Sequence, residues 1–274
     1  MDKMIERKMK ENLIWLPELE IGYYPVHNNP STPYDDEYFD KYVRYENTEI
    51  GRCLNKFRVN LVNKYTKGLI LDIGIGCGTF IKQRGNCLGY DICKKSIRLL
   101  KKEGIFYSPY NEDFEEKGIK AITFFDSLEH IKNPGRILSR IKNQFIFISI
   151  PVFKNIDHLL KSRHLKKDEH RYYFTDYSII QYMKYYEFNL IESMNDEIKC
   201  GREDIYTYVF ERNKCGSCFW YNPPTLPMDK EKYGTDGMCL NTENGKNRVR
   251  MNELACQLFL DKDKKWDKEK QKFV

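Results

Sequence analysis

Leu71-Asp72-Ile73-Gly74-Ile75-Gly76-Cys77-Gly78 is the stretch from which the fold is read. It begins as a short apolar strand. It ends in three glycines, which let the backbone turn tightly into a helix and approach a ligand with no Cβ in the way. Upstream, Ile50, Cys53, Leu54, Phe57, Leu61 and Tyr65 recur at helical spacing. Downstream, strands predicted at 88–92, 105–108, 121–126 and 145–150 alternate with helices at 94–103 and 135–142. Such alternation makes a parallel sheet covered by helices on both faces. Pro151 ends the last of these strands, because proline cannot donate to a ladder. A helix follows at 176–186, with Thr175 as its cap. Two consecutive extended stretches, 189–194 and 205–210, then predict an antiparallel edge. The fold class is α/β.

Composition bounds the rest. Hydrophobic residues make up 41% of the 274, enough for one large core and a second small unit. No apolar run approaches the roughly 20 residues of a membrane span. The charged opening residues lack the apolar stretch of a secretory signal, so the expected compartment is the cytoplasm, with no membrane partner. A net charge of +6 permits an anionic partner without demanding one. Residues 1–46, with Pro17, Pro25, Pro30 and Pro33, read as a loop-rich N-terminal arm able to lie over a site as a lid. Tyr34, Tyr38 and Tyr42, at i, i+4 spacing, read more readily as one buried helix stripe than as a lid face. Residues 47–212 form the main domain. Beyond Arg212 the composition shifts to Gly, Pro, Asn and charge, so 213–274 is a separate small Cys-rich module with a charged tail.

Asp72, just ahead of the glycines, selects among ligands. A carboxylate there repels a pyrophosphate and favours an ammonium, which suits S-adenosylmethionine better than NAD. Asp91 lies about 20 residues on, at the end of the second strand, the position of an acid that binds ribose hydroxyls. Phe125-Asp126-Ser127-Leu128-Glu129-His130-Ile131 with Asn133-Pro134 closes the fourth strand. In this order, these three stretches make residues 68–212 similar to a class I S-adenosylmethionine-dependent methyltransferase, of the broad group that includes quinone-biosynthesis enzymes. The resemblance implies a Rossmann-like methyltransferase sheet. It also implies a cofactor held by Asp72, Gly74, Gly76, Gly78 and Asp91, with an acid of Asn111-Glu112-Asp113, Asp113 or its neighbour, near the adenine and Asp126 at the mouth of the site.

Methyl transfer needs alignment and exclusion of water, and a base only where the acceptor must lose a proton. His130 is the candidate base, and His170 and Tyr172 are candidates for the acceptor's surroundings. The expected acceptor is a small molecule or a nucleotide. Two other readings stand beside it: a nucleic-acid modifying methyltransferase docked by the tail, and a non-catalytic binding protein of the same fold. The place after the fourth strand lacks the Pro-Pro-aromatic sequence of DNA amino-methyltransferases, and no Pro-Cys nucleophile is present, which disfavours both nucleobase classes.

In the tail, Cys215 and Cys218 form a close pair, and Cys239 and Cys256 follow singly. Four thiolates can close a tetrahedral zinc site, with an iron–sulfur cluster as the alternative. A segment this short, with few large apolar residues, is expected to need such a staple. Chelation is therefore expected to open 213–274 to protease while leaving cofactor affinity intact. Elemental analysis separates zinc from iron, and protection of the tail with neither metal present overturns the reading.

Overall fold

The structure is a computed structural model. It describes residues 12–25 and 34–212, together with four two-residue strands further on: Tyr221–Asn222, Met238–Cys239, Trp266–Asp267 and Lys272–Phe273. Strands β3 (Ile70–Ile73), β4 (Cys87–Tyr90), β5 (Ala121–Phe125), β6 (Phe145–Pro151), β8 (Phe188–Met194) and β9 (Ile205–Arg212) form one sheet in the order β4-β3-β5-β6-β9-β8. The first four run parallel, and β9 and β8 add the antiparallel edge that consecutive strands predicted. A short N-terminal hairpin, β1 (Ile14–Leu16) and β2 (Ile21–Tyr23), pairs with β7 (Tyr172–Phe174) in a second, three-stranded sheet.

Period-two alternation sorts the main sheet's side chains into two cores. Ile122 and Phe124 of β5, Ile146 and Ile148 of β6, and Tyr208 and Phe210 of β9 pack on one face. Ala121, Phe125, Phe147 and Val209 pack on the other. Both faces are covered, which is why the central strands read as continuous apolar runs. Eight helices complete the described residues: α1 (Asp36–Glu46), α2 (Glu49–Tyr65), α3 (Thr79–Arg84), α4 (Lys94–Lys102), α5 (Gly135–Leu138), α6 (Ile156–Lys161), α7 (Asp176–Tyr185) and α8 (Asp196–Lys199). Thr48 starts α2 by accepting the backbone N–H of Gly51 at 3.1 Å. No helix among the described residues is long and apolar enough to cross a membrane.

Four expectations are corrected. The strand at 105–108 reduces to a single parallel bridge, Gly89 to Phe106. The helix at 135–142 is the one-turn α5; at its start Gly135 leaves room for Tyr186 that a Cβ would fill, 2.1 Å from the phenol oxygen. The N-terminal arm is not loop throughout. It supplies the hairpin and then α1, which begins at Asp35, whose side chain accepts the Tyr38 N–H. The tyrosines of α1 are no buried stripe, for the helix has no buried residue.

Thr175 performs two tasks. It caps α7 through Ser178 and donates its hydroxyl to Glu20 at 2.8 Å, tying α7 to the hairpin loop. Thr175→Ala is expected to lose about 1–2 kcal/mol of stability, measured as a lowered urea midpoint with an unchanged slope.

Candidate functional site

The sheet order reverses on either side of β3, and the carboxyl ends of β3, β4 and β5 open there into a cavity of about 450 Å³. The glycine turn forms one end of it. Gly74, Gly76 and Gly78 have φ of 90°, 57° and 81°, the left-handed region that side chains disfavour. A Cβ on Gly74 would lie 2.5 Å from the Cβ of Ser127, so glycine is required there by contact as well. Three hydrogen bonds set the turn. Gly74 N–H donates to the Tyr90 carbonyl at 2.8 Å, Gly76 N–H to Asp91 Oδ2 at 3.0 Å, and the Ser96 hydroxyl to the Gly76 carbonyl at 2.6 Å. Asp91 accepts the Cys93 N–H as well, at 2.8 Å. It thus holds the glycine turn against the end of β4 while facing the cavity.

Asp72 also lines this end. Burial pushes its carboxyl up to about 7, even though the Thr123 hydroxyl donates to Oδ1 at 2.5 Å. Gly78 lies apart. It caps α3 and backs onto Leu99, so it shapes the turn without lining the cavity. Asp113 is not brought to the site. It is spent on its own loop, accepting the backbone N–H groups of Glu115 and Glu116, and Tyr110 lines the cavity instead.

Asp126 reaches the cavity with φ of 56°, but both of its oxygens are engaged. Arg202 binds Oδ1 at 2.8 Å, and Arg58 binds Oδ2 at 2.7 Å. Burial alone would raise its pKa, yet the two guanidiniums hold the carboxyl well below the usual carboxylate range. Glu197, fully buried, accepts from the same two arginines at 2.9 and 2.6 Å. The expected cofactor acid is therefore one corner of a closed four-charge network. Its partners escaped sequence reasoning because α2, α8 and the approach to β9 deliver them from distant positions.

The other end follows directly from Asp126. A single 3₁₀ turn, Leu128–His130, places Glu129 and His130 on the cavity, where they meet His170. The two imidazoles are edge to face with centroids 4.6 Å apart. His130 Nδ1 lies 2.9 Å from the Glu169 carbonyl, so that nitrogen carries the hydrogen and Nε2 is left as the acceptor, 3.8 Å from Glu129 Oε1. Burial keeps both histidines neutral, His170 with added repulsion from His130. Burial also raises the Glu129 carboxyl to about 8, helped by the Asp126 charge, and its Oε2 has no hydrogen-bond partner. Glu129 was missed in the sequence because it reads as an ordinary turn residue.

Tyr172 turns away. It shares its face of β7 with Phe174, joins the main core, and donates its hydroxyl to the Lys132 carbonyl at 2.9 Å. The aromatic wall comes from Tyr34, just ahead of α1, and from Tyr38 and Tyr42 of α1, which line the cavity, the Tyr38 hydroxyl donating to Tyr42 at 3.2 Å. Asp35 to Glu37, an acidic run just after Pro33, was the signal that could have located this helix. The metal set of the tail lies outside the described residues for Cys215, Cys218 and Cys256. Of Cys239 only the backbone is described, paired with Tyr221.

A family described as "Methyltransferase domain" matches residues 42–193. No curated protein matches. Among solved structures, the chain is similar to the Burkholderia thailandensis 1,6-didemethyltoxoflavin-N1-methyltransferase, determined with S-adenosylhomocysteine bound. That structure holds bound 1,6-didemethyltoxoflavin, and the similarity has 15% identity, 71% of this chain and 96% of that one covered, and a TM-score of 0.46. A Thermotoga maritima SAM-dependent methyltransferase, a possible histamine N-methyltransferase, is 14% identical over 65% and 97% of the two chains, with a TM-score of 0.49. A complex of the Haloferax volcanii Trm112 methyltransferase activator and a methyltransferase gives 8%, 65%, 97% and 0.48 in the same order. Each of these likenesses concerns the path of the chain alone.

Removing one acid from the four-charge network leaves two buried guanidiniums underpaired. Glu197→Ala is expected to cost about 3–5 kcal/mol, read from denaturant unfolding. A loss below about 1 kcal/mol would show that the arginines find water instead.

Proposed function

The chain belongs to the methyltransferase-domain family, and from that premise we propose that it is an S-adenosylmethionine-dependent methyltransferase acting on a small molecule or a nucleotide. The observation that carries this reading is one continuous cavity with two chemically different ends. Its volume, about 450 Å³, falls in the range of small-molecule sites. The residues present fit the cofactor. Above Gly76 the space is open, the nearest atom to a Cβ there being Tyr42 Cδ1 at 4.0 Å. Asp72 offers a carboxylate to the ammonium of the methionine portion, and Asp91 offers one to the ribose hydroxyls. Tyr90 and Tyr110, edge to face at 5.7 Å, give the adenine an apolar flank in place of Asp113.

The bound cofactor supplies an activated methyl group on a sulfonium sulfur. The chain's own residues bring the acceptor into line with it and keep water away. The tyrosines of α1 form the wall that excludes solvent. His130 and His170 stand at the acceptor's end. For an acceptor that must lose a proton, His130 Nε2 is the group in place to take it. The tail, with its four cysteines, is proposed as a metal-binding module, and residues 1–46 as the segment that contributes the wall.

Methyl-labelled cofactor incubated with the protein and fractionated cell extract identifies the acceptor class by where the label goes. Label entering no fraction would favour a binding protein. Asp91→Ala is expected to weaken S-adenosylhomocysteine at least tenfold in calorimetry, since buried hydroxyls lose a charged partner. Tight binding of NAD would overturn the cofactor assignment. His130→Ala is expected to lower turnover with cofactor affinity intact.

The raised Asp72 carboxyl adds a pH signature. The folded protein holds this proton to about pH 7, whereas the unfolded chain releases it near 3.8, so folding stability falls as pH rises through that window. An ammonium ligand binds the ionised form. Affinity is therefore expected to be about fivefold weaker at pH 6 than at pH 7, and Asp72→Asn is expected to bind more weakly and to lose that dependence.

A further inference from the structure

At the acceptor's end of the cavity, Glu129, His130 and His170 each turn one ligand-type atom toward the others, and these atoms all lie within 4.8 Å of one another. The three arrive from two places in the chain. The 3₁₀ turn after β5 supplies two, and the loop before β7 supplies the third. Such a convergence of two imidazoles and a carboxylate is costly to leave unused inside a protein.

The second observation is the Glu129 side chain. It is 2% exposed and faces the cavity, and its Oε2 makes no hydrogen bond. A buried carboxylate oxygen without a donor forfeits the free energy of its hydration. His130 does not supply that donor. Its Nδ1–H is directed at the Glu169 carbonyl, so the nitrogen nearer Glu129 presents a lone pair. The His130 lone pair and the Glu129 carboxyl face each other 3.8 Å apart, an arrangement that a cation can bridge in place of the carboxyl proton. The carbonyl on the far nitrogen is also the usual outer partner that fixes the ring of a metal-binding histidine.

We propose that Glu129, His130 and His170 bind a divalent transition-metal cation, whose remaining coordination positions face the cavity and receive an oxygen or nitrogen of the acceptor. Two imidazoles with one carboxylate suit zinc, manganese, iron or cobalt, whereas magnesium and calcium prefer oxygen alone. Three protein ligands with open positions is the pattern of a site that admits a further ligand, as opposed to a closed structural site. The proposal rests on this end being the acceptor's and gives His130 ligation in place of proton transfer. Both readings expect His130→Ala to lose turnover, so binding of the metal itself has to decide between them.

The test uses the full chain, stripped of metal and titrated with cobalt(II) under visible and near-ultraviolet absorption. Thiolate-bound cobalt shows an intense sulfur-to-metal charge-transfer band, which reports the tail. The cavity site has only nitrogen and oxygen donors and gives visible bands without it. The expected result is one equivalent bound without charge transfer, retained in a Cys215→Ser, Cys218→Ser double variant. That equivalent should weaken at least 100-fold in His170→Ala. Glu129→Gln keeps the shape of the side chain and removes its charge, and is expected to weaken binding at least tenfold. Binding of S-adenosylhomocysteine by each variant checks that it is folded, and if His170→Ala fails that check the Gln variant decides. Absence of a thiolate-free equivalent, or cobalt affinity unchanged by Glu129→Gln in a folded variant, overturns the site. S-adenosylhomocysteine binding can succeed in either case, so failure here leaves the cofactor reading standing.

Discussion

Asp126, Arg58, Glu197 and Arg202 close a ring of two carboxylates and two guanidiniums, and much of the rest is placed by it. Two charges of each sign leave no net charge in a region where water is largely excluded. Charge-assisted bonds supply every carboxylate oxygen with a donor. The ring joins the middle of α2, the end of β5, α8 and the approach to β9. It holds Asp126 in a left-handed conformation, and from there the chain turns to Ser127, whose hydroxyl donates to the Ile73 carbonyl at 2.5 Å. Ser127 in turn fills the space that glycine leaves at position 74. The two ends of the cavity are thereby set by one electrostatic unit. Replacing such a ring with apolar groups is tolerable in principle, whereas removing one member is not.

The fold was legible in the sequence where its causes are local. The glycine turn, the apolar runs of β3, β5 and β6, and the helical period of α2 each announce themselves within a short window. The antiparallel edge follows from two strands in succession. What stayed hidden depends on partners far along the chain. The hairpin of β1 and β2 has strands of three residues and finds its place only against β7, which itself looks like the end of a loop. Tyr172 and Tyr173 point to opposite faces of β7, one into the main core and the other into the cluster with Tyr24 and Phe153. A sequence window cannot say which face is which before the second sheet exists.

The site divides in the same way. Its glycine end is made of backbone geometry and two acids at strand ends, features that a parallel sheet produces wherever its order reverses. Sequence spacing locates these well, with Asp113 and Gly78 as exceptions. Asp113 turns its carboxylate to adjacent backbone donors, and Gly78 serves the helix start. The histidine end is made of side chains that meet only in three dimensions. His130 and His170 each stand out singly, but their contact, and the lone carboxylate oxygen beside them, exist only once the loop before β7 has folded back over the 3₁₀ turn.

The helix α1 differs from every other wall of the cavity. It buries no residue of its own, and it is fastened to α4 by the half-buried Lys95–Asp40 pair at 2.6 Å and the exposed Arg98–Asp36 pair at 3.1 Å. Surface pairs of this kind contribute at most about 1 kcal/mol each, and dissolved ions weaken them over a distance of about 10 Å at ordinary salt. The charged part of the remaining wall, where Asp126 meets Arg58 and Arg202, is largely buried and therefore screened far less. The tyrosine wall is thus the part of the cavity whose fastening includes pairs that dissolved salt weakens.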